Sequence, residues 1–340
     1  MPREPSTVAA LEAALLGGTG RLTADEVAAR IGADSERVLA YRRMFGLAAT
    51  EPGAAAFAQS DVAAGAAVRR LSEEHGLSPS ALGELVRSLG HTMDRLVLWQ
   101  VEAIAEHYGE EFAIDHASAR LLVLDRLANL MPELDILLTY AYHRQLGALA
   151  VRWETELSAH QASGAEGELP LQRAVGFADM VSFTRRTAGL GPTDLSAFIE
   201  RFEAAARDVV SAAGGRVVKT IGDAVLFIAD DVATGALVAL GLADRFGGPV
   251  PADLQGDARG VTPVRVSLVW GRVLSRFGDV FGPPVTLAAR LTDLAEPSTV
   301  WTDEPTAAAL AADPRFATDA LEPREVAGLG PVSPFRLRRR

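Results

Sequence analysis

Apolar residues recur at three- and four-residue spacing through most of the first 158 residues, as in LGELVRSLGHTMDRLVLWQVEAIAEHY (82–108). That period gives a helix one apolar face. It predicts an all-helical segment over 1–158, closing with a connecting helix at about 136–157. The next stretch, HQASGAEGEL (160–169), is small, polar and glycine-containing, and predicts a linker over 159–169. Beyond it the period changes. Short runs rich in β-branched residues at 171–177, 216–221, 224–228 and 264–270 alternate with helical runs. Such alternation predicts an α/β sandwich over 170–340, with helices packed on a sheet. The fold class expected for the whole chain is therefore α+β in two domains, and no repeat of fixed period is visible.

Within the helical part, LTADEVAARIGADSERVLAYRRMFGL (22–47) reads as a helix-turn-helix, with a capped helix, a turn through Gly32 and Ala33, and a second helix. Its charges are close to balanced, which favours packing or protein contact over DNA binding. The 340 residues carry a formal charge of −11. A nucleic-acid footprint needs clustered Lys and Arg, so no nucleic-acid partner is expected. The basic tail RLRRR (336–340) reads as a solvated end.

The chain has no cysteine. Disulfides, thiolate metal sites and a thiol nucleophile are thereby excluded, and a reducing, cytoplasmic setting fits. The apolar run 134–153 is interrupted by Asp135, His143, Arg144 and Arg152, whereas a spanning helix needs about 20 mainly apolar residues. No membrane span is expected, nor a secretory signal at the N-terminus. All 6 histidines precede residue 161 and no pair stands at i,i+4. Zinc is therefore disfavoured, and proton sensing in the helical part is a livelier reading than chance placement.

The chemistry concentrates in the second half. In LQRAVGFADMVSFT (171–184) a strand is expected to end near Phe177, with Asp179 in the turn before a helix. In RVVKTIGDAVLFI (216–228) two β-branched runs flank Gly222–Asp223, a strong signal for a tight hairpin with the carboxylate at its tip. Singly, Asp179 reads as a helix cap and Asp223 as a turn residue. If the first strand lies beside the hairpin, the two carboxylates face each other. They then suit two Mg²⁺ or Mn²⁺ ions whose remaining ligands are water and phosphate oxygens.

Three motifs, FADMVSFT (177–184), KTIGDAVLF (219–227) and GDVFGPPVTLAAR (278–290), occur in this order. Together they resemble the catalytic domain of the class III adenylate and guanylate cyclases, over about residue 169 to the C-terminus. The resemblance implies a ferredoxin-like, or palm, α/β sandwich that turns ATP into cyclic AMP with two divalent ions. Asp179 and Asp223 match the metal-binding aspartates, and the Met180 carbonyl matches a further ligand. The turn through Phe183 and Thr184 matches the segment whose N–H groups cradle the triphosphate. Lys219 and Asp279 match the pair that reads adenine: lysine donates to a ring nitrogen, and the carboxylate accepts from the exocyclic amine. Guanine presents the reverse pattern. Arg290 matches the arginine that stabilises charge at the pentavalent phosphorus.

Two departures from the family pattern stand out. Thr286 replaces the asparagine that usually orients the ribose. The last hairpin, VAGLG (326–330), lacks the family's frequent basic residue, with Arg324 nearby. They support an alternative, a weak or silent cyclase-like protein that binds ATP and metal as a sensor. In the family, metal-binding and purine-binding residues come from opposite members of a head-to-tail pair. One catalytic domain carrying both sets implies a homodimer. The helical part resembles the regulatory domain preceding some actinobacterial class III cyclases, which implies a proton, lipid or other small-molecule input passed along the connecting helix to the dimer.

Overall fold

The computed structural model describes residues 7–18, 21–51, 53–162, 172–247, 263–276, 278–326 and 328–340. Its contacts divide the chain into two units, Met1–Ala162 and Ser163–Arg340.

Among the described residues the named elements of the first unit are all helices: α1 (Thr7–Leu16), α2 (Ala24–Ile31), α3 (Ser35–Met44), α4 (Gln59–Glu73), α5 (Pro79–Phe112) and α6 (His116–Ala162). Local sequence sets the helix ends. Thr23 and Glu26 form a capping box on α2, and Gly32 closes that helix at φ 68°. Asp34 caps α3 by accepting from the Arg37 N–H at 2.7 Å. The segment 22–47 thus holds two short helices, α2 and α3, joined at Gly32 and Ala33. Its inner face, Val27, Ile31 and Val38, is buried with Phe57 from the segment before α4, so the motif builds a small core of its own.

α5 and α6 pair through Ala105, Tyr108, Ala119 and Val123. The connecting helix expected at 136–157 is the latter part of α6, which continues to Ala162. The reason is that Ala159, Gln161 and Ala162 are good helix formers and the first glycine comes only at Gly164. The rest of the expected linker, 163–169, lies outside the described residues. No described helix is long and apolar enough to cross a membrane.

The second unit begins with β1 (Gln172–Met180), α7 (Phe183–Thr187), α8 (Pro192–Ala212), β2 (Arg216–Ile221), β3 (Ala224–Ala229), α9 (Val232–Gly247) and β4 (Val264–Arg272). There follow β5 (Leu274–Arg276), β6 (Asp279–Phe281), α10 (Pro283–Leu294), β7 (Val300–Thr302) and α11 (Glu304–Leu310). It ends with β8 (Phe316–Ala320), β9 (Arg324–Val326), β10 (Gly330–Val332) and β11 (Phe335–Arg339). Seven strands form one sheet in the order β2-β3-β1-β4-β7-β11-β8. The β1-α-β2-β3-α9-β4 portion, with β1 between β3 and β4, is the expected ferredoxin-like arrangement.

Helices cover both faces of this sheet. On one, α8 and α9 bury Ala174, Ala178, Phe227 and Leu268. On the other, α10 covers Val175, Phe177, Leu226 and Val269. β1 lies at the centre and is buried on both sides, hence its nearly continuous apolar run. Gly176 sits opposite Phe227 in the β1–β3 register. A Cβ there would overlap the Phe227 ring and the Ser267 carbonyl, so the sheet closes only around a glycine.

Candidate active site

β1 runs three residues beyond its expected end at Phe177, to Met180. Asp179 is therefore a strand residue and not a helix cap. Both neighbouring strands impose this, because Asp179 pairs with Ala224 on β3 and with Arg265 on β4. β2 and β3 pair tightly around Gly222–Asp223, Ile221 opposite Ala224. Gly222 has φ 62° and Asp223 is not in the left-handed region, the pattern of a two-residue turn with glycine first. The Met180 N–H donates to the Asp223 carbonyl at 3.1 Å, which ties the end of β1 to the hairpin tip.

The two carboxylates are thereby crowded at one end of the sheet. Asp179 is half-buried, and its carboxyl is pushed from 3.8 to about 6. Burial is the main cause and the charge of Asp223 the next; Asp293 adds to the rise, and Arg265 opposes it. An unrelieved pair of anions away from full solvation is a place where a divalent cation fits. Among the described residues no three His, Cys, Asp or Glu side chains gather. An ion here would draw its other ligands from the Met180 carbonyl, water and substrate oxygens.

Sequence reading overlooked two residues of this corner. Arg265 on β4 extends one guanidinium N–H toward the Asp293 carbonyl at 3.4 Å, while its buried Nε has no partner. Asp293, near the end of α10, acts on Asp179 through its charge. Only the β1–β4 register reveals Arg265, since 86 positions separate it from Asp179.

A second group joins β2 to β6. Lys219 on β2 donates to the Asp279 carboxylate at the start of β6, and Asp279 also accepts from the Val280 N–H at 2.8 Å. Burial acts to raise the Asp279 carboxyl, but the Lys219 and Val280 contacts overcome it and hold the group below its ordinary range. Among the described residues no hydrogen bond or ion pair joins this pair to Asp179 or Asp223.

α10 carries the remaining candidates. Thr286 is exposed on its first turn. Arg290, also exposed, reaches Asp293 at 3.5 Å. Phe183 turns its ring into the core against Phe198, at 6.3 Å between centroids. Only its backbone, with that of exposed Thr184, is left to face a ligand. Ser182 precedes them at φ 61°, a left-handed turn that starts α7. Val326 and Gly330 pair in the separate two-stranded β9–β10 sheet, with Arg324 exposed at its edge.

A sequence model of the adenylate and guanylate cyclase catalytic domain matches residues 172–339. An adenylate cyclase of Glutamicibacter nicotianae is 37% identical over 339 residues, covering 97% of this chain and 82% of that protein. The chain belongs to the class III adenylate and guanylate cyclase family. An adenylate cyclase of Streptomyces coelicolor is 33% identical over 367 residues, covering 100% of this chain and 91% of its own. The likeness to both therefore runs through the helical unit as well as the cyclase unit. Among solved structures, an adenylyl cyclase from P. aeruginosa aligns at 16% identity with TM-score 0.44, over 49% of this chain and 93% of that one.

Proposed function

We propose that the chain converts ATP to 3′,5′-cyclic AMP and pyrophosphate at two sites shared between the members of a homodimer, in the cytoplasm. The observation that carries this reading is the half-buried, anion-crowded Asp179 beside Asp223 and Arg265, together with a preformed Lys219–Asp279 pair. The first group suits a polyphosphate with its cations and the second suits adenine. In this reading the first group of one copy and the second group of its partner meet on one nucleotide.

Asp179, Asp223 and the Met180 carbonyl would hold two Mg²⁺ or Mn²⁺ ions. Bound there, such ions lower the pKa of the attacking hydroxyl and neutralise phosphate charge. The chain's own residues do the rest. Arg265, with a buried N–H unpaired, offers a donor to the phosphates. It supplies the cation that VAGLG (326–330) lacks. N–H groups of the turn through Phe183 and Thr184 add neutral donors. From the partner, Lys219 donates to an adenine ring nitrogen and Asp279 accepts from the exocyclic amine. Their mutual ion pair keeps both charges satisfied until the base arrives. Thr286 hydrogen-bonds the ribose ring. Arg290 shifts from Asp293 to the oxygens of the pentavalent phosphorus, where its planar donors stabilise developing charge. The ribose 3′-oxygen bonds to the α-phosphorus, the bond to the β-phosphate oxygen breaks, and one proton is released.

Purified chain incubated with ATP or GTP, and with Mn²⁺ or Mg²⁺, should form cyclic AMP and little cyclic GMP. Asp223→Ala and Lys219→Ala chains should each be inactive and regain activity when mixed, because a mixed dimer contains one intact site. Nucleotide binding without product would favour the silent-sensor alternative. No recovery on mixing, with mixed dimers shown to form, would sink the shared site.

The helical unit carries the input in this reading. His116 reaches Glu102 at 3.0 Å across the α5–α6 turn, beside Arg120. A pH-sensitive adenylate cyclase of Mycobacterium tuberculosis is 28% identical over 335 residues, covering 96% of this chain. The pH–rate profile of the full chain should differ from that of a fragment comprising residues 169–340. Identical profiles would leave a lipid or small molecule as the input.

A further inference from the structure

Two buried hydroxyls join α10 to the sheet behind the acidic corner. Ser267 on β4 is 0% exposed and Thr292 on α10 is 3% exposed. Their hydroxyls share a hydrogen bond at 2.8 Å. The Ser267 oxygen also accepts from the Phe177 N–H on β1 at 3.3 Å, between the β1–β4 pairs Val175–Val269 and Ala178–Val266. A polar line thus runs from the β1 backbone through β4 into α10. Thr292 has no need of it to be satisfied. Its hydroxyl also reaches the Ala288 carbonyl one turn back, at 3.0 Å, the bond that ordinarily serves a threonine inside a helix. The step to Ser267 is what ties the helix to the sheet.

Every member of this line stands close to a candidate site residue. Phe177 is two positions before Asp179 on β1, and Ser267 is two positions after Arg265 on β4. Residues two apart on a strand share a face. Thr292 lies between Arg290 and Asp293 on α10. The other buried residues that seat this helix are Ala288, Leu291 and Ala295. Apolar contacts are non-directional, and two of these three side chains are single methyl groups that resist rotation or sliding weakly. A hydrogen bond between fixed groups prefers one distance and one direction. We propose that Thr292, held by Ser267, is a positioning residue: it sets the rotation of α10 on the sheet, and with it the reach of Arg290 and the place of Asp293 beside Arg265. The proposal rests on the cyclase reading, to which it adds the device that registers α10. Buried as it is, Thr292 acts only through its neighbours on the helix.

Full-length variants test this. Thr292→Val keeps the side-chain shape and removes the hydroxyl. Ser267→Ala breaks the same link and leaves Thr292 its bond to Ala288. Thr302→Val is the control: Thr302 is as deeply buried, and its hydroxyl donates to the Leu268 carbonyl at 2.6 Å, a bond between β7 and β4 that does not involve α10. With Mn²⁺ and ATP, Thr292→Val and Ser267→Ala should each lower kcat about tenfold or more and leave KM within about twofold. The double variant should be no slower than either single one, because all three break one link. Thr292→Ser, which restores the hydroxyl, should keep kcat within about twofold of the natural chain. Thr302→Val should lower Tm and leave kcat unchanged. A Thr292→Val chain that loses Tm but not kcat, additive losses in the double variant, or an equal loss of kcat in Thr302→Val overturns the proposal. Hydrogen exchange reads the link without turnover: the α10 amides should exchange faster in Thr292→Val and Ser267→Ala than in the natural and Thr302→Val chains. That exchange pattern in a natural chain that makes no cyclic AMP refutes the catalytic reading alone. Unchanged exchange in chains that make cyclic AMP refutes the positioning role alone.

Discussion

Replacing Asp179 by Asn should abolish turnover and yet stabilise the metal-free protein above neutral pH. In the folded chain, burial and then the charge of Asp223 push the Asp179 carboxyl from 3.8 to about 6. Between those values the folded state holds the proton more tightly than the unfolded chain. Stability therefore falls as pH rises through this window, and the loss is complete above about pH 6. Each tenfold change in proton affinity corresponds to about 1.4 kcal/mol, so a fully enclosed group would cost about 3 kcal/mol. Asp179 is only half-buried, and solvent screening reduces this to about 1–2 kcal/mol. Asparagine keeps the shape and carries no charge. For a unit of this size, Asp179→Asn should raise Tm by about 2–8 °C at pH 7.5 and by almost nothing at pH 4, where the aspartate is already protonated. Thermal unfolding with EDTA, across pH 4–8, gives the comparison. Mn²⁺ should then raise the Tm of the natural chain more than that of the variant, since the ion binds the charged form. A variant less stable at pH 7.5, or a gain that persists at pH 4, would refute the claim that unrelieved anionic crowding marks a cation site.

Other outcomes follow from the same geometry. Thr286→Asn extends a donor further toward the ribose and should raise kcat about tenfold with little change in KM, because positioning acts on the reacting geometry; an unchanged kcat would remove Thr286 from that role. Arg265→Ala should raise the KM for ATP about tenfold or more through the lost charge-assisted contact, whereas Arg324→Ala should leave it unaltered. The reverse result would move the phosphate cation to the β9–β10 sheet. Gly176→Ala should destabilise the catalytic unit by about 3 kcal/mol, because the added Cβ overlaps both the Phe227 ring and β4 backbone; urea denaturation of the full chain would show it as a lowered midpoint.

Sequence alone made legible the α+β class, the change from helical to strand-bearing texture, the β2–β3 hairpin and the three family motifs. Each is a local matter. Helical period, capping residues and a Gly-Asp turn act within a few positions, and the three motifs are contiguous strings. The end of β1 was misjudged because Met-Val-Ser after Asp179 resembles the start of a helix, while the pairing partners that hold Asp179 in the strand lie far along the chain. Arg265 and Asp293 went unnoticed for the same reason, since strand register and the return of α10 over the sheet bring them to Asp179. The Lys219–Asp279 contact spans 60 positions. Tertiary structure also decided what remains uncovered. Periodicity marks the apolar positions of α6, but only packing shows that the other described helices leave its apolar residues from Ile136 to Leu157 exposed on several faces. Spacing along a chain fixes which face a residue occupies; which other face it meets depends on how distant segments share one core.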